Sequence, residues 1–222
     1  GENSGGGEGR ARARRARKAR ERSERVRACN ARAAPKSGFC REWGRTMWEK
    51  LKATGKPILL YGMGDGAEKI AAELKKREIP IAGVFASEGF TRGQEFMGCP
   101  VTDYRTARER YGEMVVLVCF GTHRPEVMAQ IERLAAEQEL YAPDVPVAGK
   151  TLFTREYAAA HRAELEKVYG LLADERSRKV LENVTAYKLS GRIDRLRACE
   201  TDPVEAWENI LRPGREEHYL DL

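Results

Sequence analysis

Residues 59–70 read LLYGMGDGAEKI, and this stretch decides the fold that the sequence predicts. A short apolar run meets Gly62, Gly64 and Gly66 at alternate positions, and a helical pattern of apolar residues follows at once. With Ala67, the first two glycines fit G-x-G-x-x-G/A between a strand and a helix, the pattern of a dinucleotide-binding turn. The stretch therefore predicts a strand that turns tightly into a helix.

Strand and helix patterns alternate along the following part of the chain. Strands are predicted at 57–62, 80–86, 99–102 and 114–120, and helices within 42–55, at 66–77, near 103–111 and from 125 to about 139. Continuous apolar strands that alternate with helices indicate a parallel sheet covered on both faces. We therefore predict an α/β fold, a Rossmann-like doubly wound parallel sheet, over residues 42–150.

The composition divides the chain into four regions. Residues 1–41 are of low complexity and nearly free of large apolar side chains, so we expect a disordered basic tail. Residues 151–214 are predicted to form a helical connector, with helices at 154–172 and 175–189, a stop at Gly191, and a third helix that begins in TDPVEAWENIL, residues 201–211. Residues 215–222 are predicted to be the first strand of another domain.

The positive charge is concentrated in the tail. The chain carries +6, but residues 1–36 hold ten Arg and two Lys against four Glu, a balance of +8 that leaves −2 on the remainder. The tail is either a basic arm for nucleic acid or acidic lipid, or an incidental segment. The nearly neutral folded part gives no reason to expect a nucleic acid or a membrane as its partner.

The cysteine and histidine patterns give no metal or disulfide framework. Five cysteines occur at irregular spacing without a C-x-x-C pair, and three histidines lie far apart. No apolar run approaches the roughly 18 residues of a membrane span, and no apolar signal-peptide core is recognised. We therefore expect a cytoplasmic protein without structural zinc.

The predicted topology places a second turn opposite the glycine turn. In a doubly wound sheet the first and fourth strands are neighbours, and ligands bind beyond their carboxyl ends. Gly121, Thr122, His123 and Arg124 follow the fourth strand and should face residues 62–67. A His beside an Arg suits a phosphate or a sugar acid. The alternative is that Thr122 or His123 only caps the next helix.

Two acidic positions complicate a nucleotide interpretation. Ser87 and Glu88 follow the second strand, and Glu88 is an imperfect ribose partner because it lies slightly beyond the strand end. Asp65 is predicted to cap the helix, with Glu68 reaching back, and these carboxylates would occupy the amides that a phosphate needs. Nucleotide binding and a purely structural turn therefore both stay open.

Several linked stretches resemble a bacterial subgroup of the FkbM-family methyltransferases. The matching stretches are WEKLKATGKPILLYGMGDGAEKI (48–70), FASEGFTRGQEF (85–96), YAPDVPV (141–147), LLADERSRKVLENVTAYKLSG (171–191) and EEHYLDL (216–222). The resemblance covers about residues 43–222. It implies a Rossmann-like domain, a helical connector, and then an S-adenosylmethionine-dependent methyltransferase domain whose first strand begins near the end of this sequence.

The resemblance also gives a role to the last two residues. Asp221 and Leu222 match the opening of the D-x-G-x-x-x-G motif that holds the methionine part of S-adenosylmethionine. By this resemblance the chain is the front portion of an O-methyltransferase acting on a sugar or glycan, and is expected to lack methyl transfer by itself. Two other hypotheses remain: a module that binds a nucleotide or nucleotide-sugar, and a structural domain without a ligand. The oligomeric state is not predicted.

Overall fold

The computed structural model describes residues 44–147, 149 and 151–200. The predicted basic tail, the predicted third connector helix and the predicted strand at 215–222 all lie outside the described residues. Asp221 lies outside them as well.

Six strands and eight helices are present among the described residues. In chain order they are α1 (Met47–Ala53), β1 (Ile58–Tyr61), α2 (Asp65–Lys76), β2 (Gly83–Phe85), β3 (Glu95–Phe96), β4 (Cys99–Thr102), α3 (Tyr104–Tyr111), β5 (Val115–Val118), α4 (Pro125–Glu137), β6 (Glu139–Tyr141), α5 (Arg155–Ala160), α6 (Arg162–Leu171), α7 (Glu175–Ser190) and α8 (Ile193–Arg197).

The strands form one sheet in the order β3-β4-β2-β1-β5-β6. All neighbouring pairs are parallel except β3 with β4, which are antiparallel. β1 lies between β2 and β5, with Leu60 opposite Val84 on one side and opposite Leu117 on the other. The predicted α/β class and the neighbouring placement of the first and fourth predicted strands, β1 and β5, are confirmed.

Alternate residues of each central strand enter two different cores. Ile58 and Leu60 pack with α1 and α2 on one face, whereas Leu59 and Tyr61 pack with α3 and α4 on the other. All four residues of β1 and all four of β5 are buried, which explains their continuous apolar sequence. Burying a Leu or Val side chain contributes about 1.5–3 kcal/mol, so these two strands dominate the core.

Side-chain caps fix where several helices begin. Thr46 and Glu49 form a capping box at the start of α1. Asp103 accepts a 2.7 Å hydrogen bond from the Thr106 amide at the start of α3, and this bond lowers the pKa of the Asp103 carboxyl. Asp174 caps α7 in the same way through the amide of Ser177.

Four features of the fold differ from the sequence-based expectations. The strand β6 was not predicted, because only Tyr141 of its three residues is buried and the apolar signal is therefore short. The two-residue β3 and the five-residue α8 were also missed. The helix predicted at 154–172 is two helices, since the backbone of His161 has φ −102° and ψ 20° and ends α5 before α6 starts.

The end of α7 is fastened to the sheet at Gly191. This glycine is left-handed, with φ +64°, and ends α7 as predicted. Its carbonyl accepts a 2.7 Å hydrogen bond from the Ala142 amide just after β6, and Lys188 forms a 3.0 Å ion pair with Asp144. These contacts attach α7 to the segment that follows β6.

The first turn of α2 lies in close contact with the end of β5. A Cβ atom built on Gly66 would overlap the carbonyl oxygen of Cys119, the residue that follows β5. The neighbouring Ala67 is fully buried in the same core. Gly66, which is not one of the three defining positions of the G-x-G-x-x-G/A pattern, therefore makes the tight approach between α2 and the end of β5.

We predict that Gly66→Ala lowers the free energy of unfolding by about 1–3 kcal/mol, because the added methyl group displaces backbone that has no room to move. Gly170→Ala is the matched control: Gly170 is also helical, a Cβ built there meets nothing within 4 Å, and the substitution should stabilise by up to about 1 kcal/mol. Urea unfolding measures both. Equal effects of the two substitutions would contradict the close contact.

Candidate functional site

A crevice of about 350 Å³ opens at the carboxyl ends of β1, β2 and β5. The glycine turn forms one wall through Gly62, Met63 and Gly64, and residues 120–122 form the opposite wall. The two turns that the sequence predicted to face each other therefore do line one cavity. Ser87, Phe90, Arg124 and Val127 complete its rim.

Two glycines of the turn have different physical reasons to be glycine. Gly62 has φ +111°, and a Cβ there would lie 2.8 Å from the Phe120 ring, so the fold itself requires glycine. Gly64 has φ −119° and ψ −165°, extended values that any residue adopts, and a Cβ built on it meets nothing within 4 Å. Glycine at 64 is therefore not needed for packing, but it leaves the crevice open to a ligand.

The start of α2 carries no side-chain cap, which corrects the prediction for Asp65. Gly64 is the N-cap residue, and Asp65 is the first residue of the helix. The Asp65 carboxylate instead lies 2.5 Å from the ammonium nitrogen of Lys69, one turn later on the same helix. The predicted capping pair with Glu68 does not form, because the helix begins at Asp65 itself and the N-cap position is taken by Gly64.

Tyr61 and Ser87 join the ends of β1 and β2. Their hydroxyl oxygens lie 2.6 Å apart, and the Tyr61 ring stacks on Phe85 with a centroid separation of 4.8 Å. Phe120 meets the other side of Tyr61 edge-on at 5.0 Å. The floor of the crevice is therefore a packed aromatic cluster with a hydrogen-bonded hydroxyl pair at its edge.

The turn after β5 offers one cation to the crevice. Thr122 Oγ1 accepts a 3.2 Å hydrogen bond from the Arg124 amide, so Thr122 organises the turn but does not cap α4, whose N-cap residue is Arg124. The Arg124 guanidinium is paired with Glu126 at 2.5 Å, and both side chains are largely exposed. His123 is exposed and lines neither this crevice nor the cavity beside it.

A second, more polar cavity of about 530 Å³ adjoins the crevice. Tyr61, Ser87, Phe90 and Arg124 line both cavities, so the two are continuous along the ends of β1 and β2. Glu88 lines only the second cavity. The remaining polar lining comes from the start of α3 and from one side of α4: Asp103, Tyr104, Arg105, Glu126, Gln130, Arg133 and Glu137.

The sequence did not reveal the aromatic part of the site. Phe90 is 60% exposed in the loop after β2, where an apolar residue normally has no packing role. Phe120 directly follows the apolar run of β5 and was counted as part of the predicted strand. The loop that contains Phe90 also contacts the glycine turn, since the side-chain amide nitrogen of Gln94 lies 3.2 Å from the Met63 sulfur. The signal that could have identified this part of the site was Phe90, a large apolar residue in the loop just after a predicted strand.

The described residues of the crevice suit binding better than covalent chemistry. Cys119 is the nearest thiol, but its side chain is buried and burial raises its pKa to about 12, so it stays protonated near neutral pH. The described part of the chain contains no group of three His, Cys, Asp or Glu side chains placed to hold a metal ion. The helix start, the open glycine and Arg124 instead provide hydrogen-bond donors and positive charge.

No protein-family model, curated protein or solved structure matches this chain. None of the helices that the structure describes combines the length and the apolar character needed to cross a bilayer.

We predict that the Tyr61–Ser87 bond supports the floor of the crevice. Tyr61→Phe should lower the free energy of unfolding by about 0.5–1.5 kcal/mol, because the Ser87 hydroxyl loses its partner. In a double-mutant cycle with Ser87→Ala, the two losses should not add, since both substitutions remove the same bond. Strict additivity would show that the two hydroxyls do not interact.

Proposed function

We propose that residues 44–147 are a Rossmann-like module that binds a nucleotide or nucleotide-sugar in the crevice. The observation that carries this proposal is Gly64: it sits at an uncapped helix start, faces the crevice, and has no packing or conformational reason to be glycine. A phosphate group needs such a position, because any side chain there would keep it from the backbone amides.

The electrostatics of the crevice favour an anionic group. The first turn of α2 presents backbone amides and the positive end of the helix dipole. The same turn carries the carboxylates of Asp65 and Glu68, and the ion pair with Lys69 offsets part of the charge of Asp65. Arg124 on the opposite wall makes an exposed ion pair with Glu126. Both side chains are largely exposed and water screens the pair, so a phosphate competes for this guanidinium at little cost.

The shape of the site fits a ligand with an apolar ring and a polar extension. The crevice offers the rings of Phe90 and Phe120 to a base, and its volume lies within the roughly 300–1,000 Å³ of small-molecule sites. The adjoining cavity contains carboxylates and guanidinium groups that hydrogen-bond hydroxyls. Glu88 lies there, so a ribose or a sugar in this second cavity would have a carboxylate partner.

The direct test is calorimetric titration of the chain with ADP, UDP and UDP-glucose. At least one of these ligands should bind, and Gly64→Asp should weaken that binding at least about tenfold, or 1.4 kcal/mol. The added carboxylate occupies and repels the phosphate position. Asp is at least as good a helix N-cap as Gly, so the variant should fold with undiminished stability.

His123→Ala is the control for that experiment, because His123 is exposed and does not line the crevice. It should leave the dissociation constant unchanged, whereas Arg124→Gln should raise it. Absence of binding by all three ligands, or equal losses from Gly64→Asp and His123→Ala, would reject the nucleotide site and leave a structural domain.

We also propose that the parent protein is an S-adenosylmethionine-dependent O-methyltransferase. The support is the resemblance of residues 43–222 to the FkbM family and the match of Asp221 to the first residue of the cofactor motif. The acceptor implied is a hydroxyl of a sugar or glycan. The described residues contribute no group to the methyl transfer, so this part of the chain would serve the reaction by binding or presenting a ligand.

Sequencing the source gene past codon 222 tests the methyltransferase proposal. A G-x-x-x-G pattern directly after Leu222 is expected, and a chain extended through the following domain should bind S-adenosylmethionine. Asp221→Ala in that longer chain should weaken this binding without changing the binding of a nucleotide at Gly64. A reading frame without the glycines would reject the enzyme and leave the nucleotide module standing.

A further inference from the structure

The two long helices after the sheet leave an apolar groove between them. The groove has a volume of about 620 Å³, and its apolar lining consists of Val168, Leu172, Val180, Leu181 and Val184. Val168 is 46% exposed, and α6 buries none of its ten residues, whereas α2 buries four. Of the apolar lining residues, Val168 is exposed, and Leu172, Val180, Leu181 and Val184 are half-buried.

The described chain ends beside the groove. After α7, the chain turns at Gly191, and α8 packs back against α7. Cys199, which follows α8, places its sulfur 3.7 Å from the carbonyl oxygen of Val180, and Val180 lines the groove. The segment that follows Glu200 therefore starts close to this surface.

The sequence of that segment matches the groove. Asp202 and Pro203 are a helix start signal. If the helix continues, Val204, Trp207 and Leu211 share one face. Glu208 borders that face, and Glu205 lies on the far side. The nine residues from 203 to 211 would extend about 14 Å, close to the length of the ten-residue α6 by the same rise.

We propose that residues 203–211 form an amphipathic helix that fills the groove between α6 and α7, with Trp207 as its central contact. A tethered segment has an effective concentration that a free partner cannot match, so the chain's own residues outcompete other occupants. Burial of one Trp and two or three aliphatic side chains contributes enough to hold a short helix that is unstable alone. Docking also fixes the point from which residues 215–222 depart.

Tryptophan fluorescence of the full 222-residue chain tests this arrangement. Subtracting the spectrum of Trp207→Phe isolates the emission of Trp207, which should be blue-shifted and weakly quenched by acrylamide. Val184→Asp places a charge in the groove, and it should shift that emission to the red with a several-fold rise in quenching. Leu171→Asp is the matched control, because Leu171 is 74% exposed and does not line the groove.

A second measurement separates loss of docking from loss of folding, which the fluorescence of Val184→Asp does not separate. In hydrogen exchange of Trp207→Asp, the amides of α6 and α7 should lose protection while those of β1 and β5 keep it. The proposal is overturned if Trp207 is solvent-exposed in the unmodified chain, or if Val184→Asp and Leu171→Asp change the Trp207 emission equally. It is also overturned if quenching rises on dilution of the protein, because the occupant would then be a second copy.

Discussion

The parallel pairing of β1 with β5 is the contact from which the site follows. The two strands lie side by side at the centre of the sheet, and the hydrogen bond from the Cys119 amide to the Tyr61 carbonyl continues the pairing to their last residues. The chain then leaves β1 toward β2 and leaves β5 toward β6, so the two turns separate and a crevice opens between them. Gly62 and Gly66 are the positions where side chains would break this arrangement.

The groups that line the crevice are suited to binding a ligand. Its donors are a helix start and a guanidinium group, its walls are aromatic, and its nearby thiol is held protonated by burial. These properties suit a phosphate-bearing ligand that is held and presented to another group. A separate set of contacts, around Gly191, Lys188 and Asp144, fastens the helical part to the same sheet.

The sequence predicted the parts of the fold that depend on long apolar runs. β1 and β5 are buried on both faces, so their signal is continuous, and the glycine pattern located the turn between β1 and α2. Features that depend on a few contacts were missed. Only one residue of β6 is buried, and Asp65 forms an ion pair with Lys69 where a helix cap was predicted. The hydrogen bond between Tyr61 and Ser87 joins residues that are 26 positions apart. Phe90 and Phe120 became site residues only when the topology brought their loops together.

An amide-resolved NMR titration of the chain with the nucleotide that binds best tests most directly whether a phosphate-bearing nucleotide lies between the two turns. The amides of residues 62–67 and 121–124 should shift together and saturate at one concentration, while those of α6 and α7 stay unchanged. Shifts confined to one turn, or spread over the helices away from the sheet, would rule out this site.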